Sequence, residues 1–320
     1  MWHGHRRLRD QVVVIVGASS GIGLATARLA ARRGAAVVLA SRHEGALRAI
    51  ALELRAQGGR ASHVVADVTE PAQVRAIADA AIDEHGAFDT WINVASTGTY
   101  GEVLEVSLED HRRVFEVSFW GLVHGSRLAV EHFRSPERRG AREGGTLINI
   151  GSVLSDRAFP LLGPYSASKH AVKAFTNALR MELEKKGAPV AVTLIQPPST
   201  DTPFPLRARN YLDREVKLPS PIYEPQVVAR AILSCAERPR RNVVVGGIGG
   251  VSLVWLEKIA PRLLDVGLRY LTRPLLTKRE PARPGRDDAL YTPSVHDGEE
   301  RGPDRRFALR SSLYTALRLH

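Results

Sequence analysis

The sequence predicts an α/β protein: a doubly wound parallel sheet of about seven strands, followed by a helical C-terminal extension. Three observations carry that expectation. Short apolar, β-branched runs alternate with helix-length amphipathic stretches from residue 11 to about 249. A glycine-rich turn, "VGASSGIG", separates the first such run from the first helical stretch. After residue 250 the alternation stops. Alternation of this kind builds right-handed βαβ units with helices on both faces of the sheet.

The strand-like runs fall at 12–16, 36–40, 62–66, 90–94, 146–150, 190–195 and 242–245. The helical stretches between them are 22–33, 45–57, 71–85, 108–133, 166–186 and 225–238. The organisation is therefore an N-terminal arm, 1–10, a sheet domain, 11–249, and an extension, 250–320. "MWHGHRRLRD" followed by "QVVVIVGA" imitates a secretion signal, but the apolar run is short and leads straight into the glycine turn, so it reads as a strand. His3 and His5 lie on a terminal arm, and no metal is expected there. In the extension, 251–276 is amphipathic at helical spacing, with a break expected at Pro261. "REPARPGRDD" reads as a loop and "RRFALRSSLYTALRL" as a short closing helix.

The net charge of +11 invites a nucleic-acid reading. The arginines are scattered, however, and no zinc-finger spacing or RNA-binding signature is present, so an anionic cofactor is the expected partner rather than nucleic acid. No apolar run reaches the ~18 residues of a membrane span. Basic residues beside Trp255 allow peripheral membrane contact. The acidic stretch "DDALYTPSVHDGEE" argues instead for packing on the protein or a partner subunit. The single cysteine, Cys235, excludes an internal disulfide and fits a reducing, cytoplasmic setting.

In the glycine turn, Gly17, Gly21 and Gly23 let backbone approach a pyrophosphate, and the following helix offers unpaired N–H groups to it. Ser19, Ser20 and Ile22 belong to the same turn. At the end of the second run an acidic residue would hold the ribose hydroxyls of NAD; this chain has Ser41 and Arg42, which suit a 2′-phosphate. NADP(H) is therefore expected over NAD(H). Asp67, followed by Val68, is placed to accept from the adenine amino group. In "PYSASKHAV" Tyr165 precedes Lys169 by one helical turn, so the two share a face about 5–6 Å apart at Cβ. A free tyrosine, with a pKa near ~10, is a poor base near neutrality. A neighbouring ammonium is expected to favour its phenolate.

Taken together, the glycine pattern, "INVAS", "NIGS" and "YSASK" resemble the short-chain dehydrogenase/reductase family over roughly residues 10–250. The resemblance implies a Rossmann fold and hydride transfer between a nicotinamide cofactor and an alcohol or ketone. It makes Tyr165 the acid/base and Ser152 the substrate orienter. Lys169 also binds the nicotinamide ribose. It adds Asn93, Ala95, Pro197, Thr200 and Thr202 to the cofactor site and puts a substrate lid at 199–224. It also suggests a homodimer or homotetramer built on the helices 108–133 and 166–186. Phe159, Leu161 and Phe204 are expected to line an apolar pocket for a lipophilic small molecule.

The chain departs from the family pattern at several positions. Val16 replaces a threonine, "NVAS" replaces Asn-Asn-Ala-Gly, and Pro198 replaces a glycine. Ser118 stands where a helix asparagine supports a proton-relay water, and is carried into the catalytic set on that ground. These changes give weight to an alternative, a non-catalytic NADP(H)-binding sensor or scaffold on the same fold.

Overall fold

A computed structural model describes residues 6–138, 143–247, 251–283, 285–302 and 307–319. His3 and His5 lie outside the described residues. Seven parallel strands form the central sheet: β1 (Val12–Val16), β2 (Ala36–Ser41), β3 (Arg60–Val65), β4 (Thr90–Asn93), β5 (Gly145–Ile150), β6 (Val190–Gln196) and β7 (Asn242–Val244). Their order is β7-β6-β5-β4-β1-β2-β3, every pairing parallel. The chain winds outward from β1 in one direction and then returns to its other side at β4.

The strands read as unbroken apolar runs because both faces are covered. In β1 the residues divide by parity. Val13 and Ile15 pack into one layer with Leu24, Val37 and Ile232, while Val12, Val14 and Val16 pack into the other with Val74, Trp91 and Phe133. The first layer is closed by α1 (Gly21–Arg32), α2 (Glu44–Ala56) and α7 (Pro225–Glu237). The second is closed by α3 (Pro71–His85), α5 (Gly121–Phe133) and α6 (Gly163–Lys185). The helix expected over 108–133 is interrupted: α4 (Leu108–Phe115) joins α5 through a π-helical turn, Glu116–Trp120.

The extension does more than lay down a helix. The expected break falls at Ala260, separating α8 (Ser252–Ile259) from α9 (Pro261–Leu276). Leu264, Leu268 and Leu276 are buried, whereas Trp255, Ile259, Leu263, Val266 and Tyr270 stay exposed, so only one side of this helix pair packs on the domain. Thr277–Pro281, whose last three residues open the stretch expected to be a loop, is a strand paired antiparallel with Arg214–Val216. The closing helix is confined to Leu313–Leu319. Residues 285–302 then run back across the carboxyl end of the sheet, with Ala289 and Leu290 buried. Among the described residues no helix is long and apolar enough to cross a membrane.

Deleting residues 251–320 should therefore uncover the apolar seat of Leu264, Leu268, Leu276 and Leu290. Each such side chain is worth about 1.5–3 kcal/mol when fully buried. The melting temperature of the truncated chain should fall by roughly 5 °C or more, with increased binding of a hydrophobic dye. An unchanged melting curve would show that the extension contributes no packing energy.

Candidate active site

The glycine turn is held by main-chain bonds to both neighbours of β1. Gly17 and Ala18 N–H donate to Ala40 O at 2.8 and 3.1 Å, and Val94 and Ala95 N–H donate to Val16 O at 2.9 and 2.8 Å. These bonds tie the turn without the hydroxyl that Val16 lacks. Gly17 has φ +100°, and a Cβ there would stand 2.5 Å from Ala95 N, so no other residue fits.

Tyr165 lies in the first turn of α6 and Lys169 in the second, on one face. Ser152 ends the β5 segment and caps a short 3₁₀ turn, its Oγ accepting from Leu154 N–H at 3.1 Å. Its hydroxyl also hydrogen-bonds the Tyr165 phenol. Lys169 Nζ donates to Ile150 O at 3.0 Å and stands 5.6 Å from the centroid of the Tyr165 ring.

One pocket of about 570 Å³ gathers most of the residues singled out in the sequence. Its lining starts at Gly17, Ser19, Ser20, Gly21 and Ile22, then passes Ser41, Arg42, Asp67, Val68 and Ala95. It continues to Ser152, Tyr165 and Lys169, beside Pro197, Thr200 and Thr202. The far end is apolar, with Tyr100, Phe159, Leu162 and Phe204 facing Leu253, Leu256 and Leu268 of the extension.

Four expected residues are placed differently. Gly23 does not line the pocket; a Cβ there would meet Gly17 O at 2.0 Å, so it serves close packing of α1 on the turn. Asn93 points under the sheet, where its Nδ2 donates to Asn149 Oδ1 at 2.8 Å and its Oδ1 accepts from Trp91 Nε1 at 2.8 Å. Leu161 takes φ +65° and packs in the apolar cluster beside the pocket, leaving Leu162 to line it. Ser118 sits in the π-helical turn and is fully buried. Its Oγ accepts from Thr97 N–H at 3.1 Å, donates to Thr97 O at 3.0 Å and meets Ser96 Oγ at 3.1 Å. That hydroxyl is spent on the loop after β4, not on Lys169. Its effect on Tyr165 is indirect: the next loop residue, Gly98, has no room for a Cβ, which would lie 2.9 Å from Phe204 and 3.3 Å from Tyr165. Ser118 is a positioning residue.

The adenosine end carries contacts that the local sequence does not announce. Arg42 donates to the carbonyls of Ala289 at 2.6 Å and Tyr291 at 2.8 Å, and stands 3.9 Å from Asp67. Asp67 accepts from Thr69 N–H and from Arg113 Nη2, both at 2.9 Å. Burial raises its pKa, but these hydrogen bonds outweigh burial and hold the carboxyl below its ordinary range. Asp67 is therefore already engaged by protein donors. Arg113, Arg207, Ala289 and Asp297 are the additions, the last two lining the pocket from about 250 residues along the chain. The basic and acidic residues of 286–302 were visible as charge; their partners were not.

The reacting groups are governed by burial. Burial pushes the Tyr165 phenol up to about 12, against a lowering contribution from the Ser152 hydrogen bond. Burial also pulls the Lys169 ammonium down to about 7. Burial thus favours the neutral form of both groups, the phenol as an acid and the lysine as an amine. A phenolate would draw on the positive nicotinamide ring of an oxidised cofactor as well as on Lys169.

A dinucleotide fits the observed lining. The glycine turn leaves main chain facing the pocket, the ends of β2 and β3 follow it, and Thr202 packs over Gly21, where a Cβ would lie 3.0 Å from its methyl. Such a group, bound along this wall, supplies the hydride donor or acceptor. A parallel sheet with a glycine turn at its switch point and a Ser–Tyr–Lys set on one pocket wall defines a nicotinamide-dependent oxidoreductase of hydroxyl and carbonyl groups.

Comparison with known proteins agrees. The short chain dehydrogenase family model matches residues 11–210, and the chain belongs to that family. An uncharacterized oxidoreductase of Bacillus subtilis, YxnA, is 42% identical over 313 residues, covering 97% of this chain and 85% of the relative. The chain is also similar to a short chain dehydrogenase/reductase from Burkholderia phymatum solved with NAD. That likeness has a TM-score of 0.69 and 29% identity over 87% of this chain and 99% of the other. An alcohol dehydrogenase from Thermococcus sibiricus complexed with 5-hydroxy-NADP superposes with a TM-score of 0.62 and 26% identity, over 73% of this chain and 95% of the other.

The depressed Lys169 pKa has a consequence for stability. Between about 7 and 10.5 the folded chain holds fewer protons at this site than the unfolded chain, so stability rises with pH across that window. Below it the burial cost is fully present. Lys169→Met should therefore be more stable than the unmutated protein at pH 7, with the gap closing toward pH 10. Urea midpoints at three pH values measure this; a constant gap would mean that Lys169 keeps its ordinary pKa.

Proposed function

We propose that the protein is an NADP(H)-dependent oxidoreductase that interconverts a lipophilic secondary alcohol and its ketone. The observation that carries this reading is the continuity of one pocket from the glycine turn, past Tyr165, to an apolar end. In the reductive direction the protonated Tyr165 donates its proton to the oxygen of the forming alkoxide. Ser152, already hydrogen-bonded to the phenol, holds that oxygen. Lys169, anchored on Ile150 O, fixes the floor beneath the ring and is placed for a ribose hydroxyl. Gly17, Ser19, Ser20, Gly21, Ile22, Val68, Ala95, Pro197, Thr200 and Thr202 hold the dinucleotide. Phe159, Leu162 and Phe204 exclude water from the substrate.

The segment 199–224 serves as the substrate lid. It is stitched to the body through Arg209–Asn210, which pairs with Thr99–Tyr100, and to the extension through Arg214–Val216. We further assign the helices 108–133 and 166–186 to a homodimer or homotetramer interface, and the protein to the cytoplasm.

The test is a screen of lipophilic ketones and alcohols that follows NADPH absorbance. Tyr165→Phe should retain cofactor binding and lose turnover by about 10²-fold or more. Turnover unchanged in Tyr165→Phe would remove the phenol from the proton path.

Cofactor choice is tested separately. The unmutated protein should bind NADPH more tightly than NADH, and Arg42→Ala should erase most of the difference. A charge-assisted contact of this kind is worth about 1.5–3 kcal/mol. Equal dissociation constants for the two cofactors before mutation would sink the NADP(H) assignment.

A further inference from the structure

Residues 286–302 bring a carboxylate into the adenosine end of the pocket. Gly298 N–H donates to Ser19 O at 2.7 Å, and Gly21 N–H donates to Glu299 O at 3.0 Å, so the strap is fastened to the glycine turn. Between these bonds Asp297 enters the pocket lining. Its Oδ1 accepts from Ser19 Oγ at 2.7 Å and lies 3.3 Å from Arg207 Nη2, and its side chain is 2% exposed. Arg207 also donates to Ser20 Oγ. Arg42 lines the same pocket and donates to the strap carbonyls of Ala289 and Tyr291, so these five charged and hydroxylic groups share one region. A buried carboxylate held by a hydroxyl and a guanidinium, inside a cofactor-sized cavity, has the chemistry of an anion site with an anion in it.

We propose that Ser19, Ser20 and Arg207, with Arg42, form the subsite for the 2′-phosphate of NADP(H), and that Asp297 occupies this subsite until the dinucleotide displaces it. The inference rests on the NADP(H) reading. The ribose phosphate is chosen over the pyrophosphate because the strap that carries Asp297 is also bonded, through Ala289 and Tyr291, to Arg42, which directly follows β2, where the adenosine ribose is recognised. A phosphate monoester carries about −1.5 to −2 charges and three acceptor oxygens, against one charge and two oxygens for Asp297. It can therefore take over both Ser19 and Arg207 and draw Arg42 from the carbonyls of Ala289 and Tyr291. NADH lacks that group and leaves Asp297 in place. Displacement also loosens the strap, because Asp297 Oδ2 accepts from Ser294 N–H at 3.1 Å and so folds the segment on itself. Neither Arg207, on the short helix Phe204–Arg207, nor Asp297 belongs to the glycine turn or to the end of β2.

The experiment measures NADPH and NADH dissociation constants by fluorescence for the unmutated protein, Asp297→Asn and Arg207→Met, with hydrogen exchange over 286–302. Asparagine keeps the size of Asp297 and one of its acceptor oxygens while removing its charge, and the strap stays fastened by the main-chain bonds of Gly298 and Glu299 to the glycine turn. Asp297→Asn should tighten NADPH about fivefold or more and NADH at least threefold less than that; Arg207→Met should weaken NADPH by roughly tenfold. NADPH, and not NADH, should raise exchange in 286–302. If the unmutated protein prefers NADPH but neither variant alters that preference, the NADP(H) reading stands and this subsite falls. Equal tightening of both cofactors in Asp297→Asn would move the displaced group to the pyrophosphate and overturn the assignment. Weaker NADH binding in that variant would make Asp297 a ribose-hydroxyl acceptor, with the same result. A preference of the unmutated protein for NADH would remove the underlying reading first.

Discussion

Everything in the site hangs on the carboxyl end of β1, where one strand is stitched to both of its neighbours. Val16 O accepts from Val94 and Ala95, while Gly17 and Ala18 donate to Ala40 O. These four main-chain bonds fix the turn, the loop after β4 and the end of β2 relative to one another. Because the chain leaves β1 in one direction and returns on the other side, this is the point at which a crevice opens. The turn survives the replacement of a hydroxyl by Val16 because its geometry is enforced by backbone, which does not depend on side-chain identity.

The same rigidity sets the chemistry. Ser118 clamps the loop at Thr97, that loop brings Gly98 close to the Tyr165 ring, and Ser152 reaches the phenol from beyond the neighbouring strand β5. The π-helical turn carrying Ser118 is a local departure from regular helix, of a kind often found at functional sites. Confinement then acts in the direction opposite to the one expected of charge. Burying a phenol and an amine together disfavours the charged form of each, so the pair rests as a neutral acid above a neutral base. In this chain the protonation of the phenol is governed by burial first and by the Ser152 hydroxyl second.

The extension changes what the pocket is. Leu253, Leu256 and Leu268 complete its apolar end, and Ala289 and Asp297 complete its adenosine end. A domain ending at β7 would have an open groove; the extension turns it into a walled cavity. The strand Thr277–Pro281 links this wall to the segment 199–224 through Arg214–Val216.

By itself the sequence determined the sheet, its winding and the chemical set. Unbroken β-branched runs at regular spacing admit few arrangements other than a sheet covered on both faces, and a tyrosine four residues before a lysine must share a helix face with it. Glycines at the turn are legible for the same reason: their meaning is local. The orientation of Asn93 and Ser118, the exchange of Leu161 for Leu162 and the engagement of Arg42, Arg113, Arg207 and Asp297 were decided only in three dimensions. Each depends on a partner distant in the chain or on a backbone angle set by packing, and one-residue shifts in such turns reverse which side chain meets the pocket. The protonation of Tyr165 and Lys169 belongs with them, since burial is a property of the whole fold and no spacing along the chain encodes it.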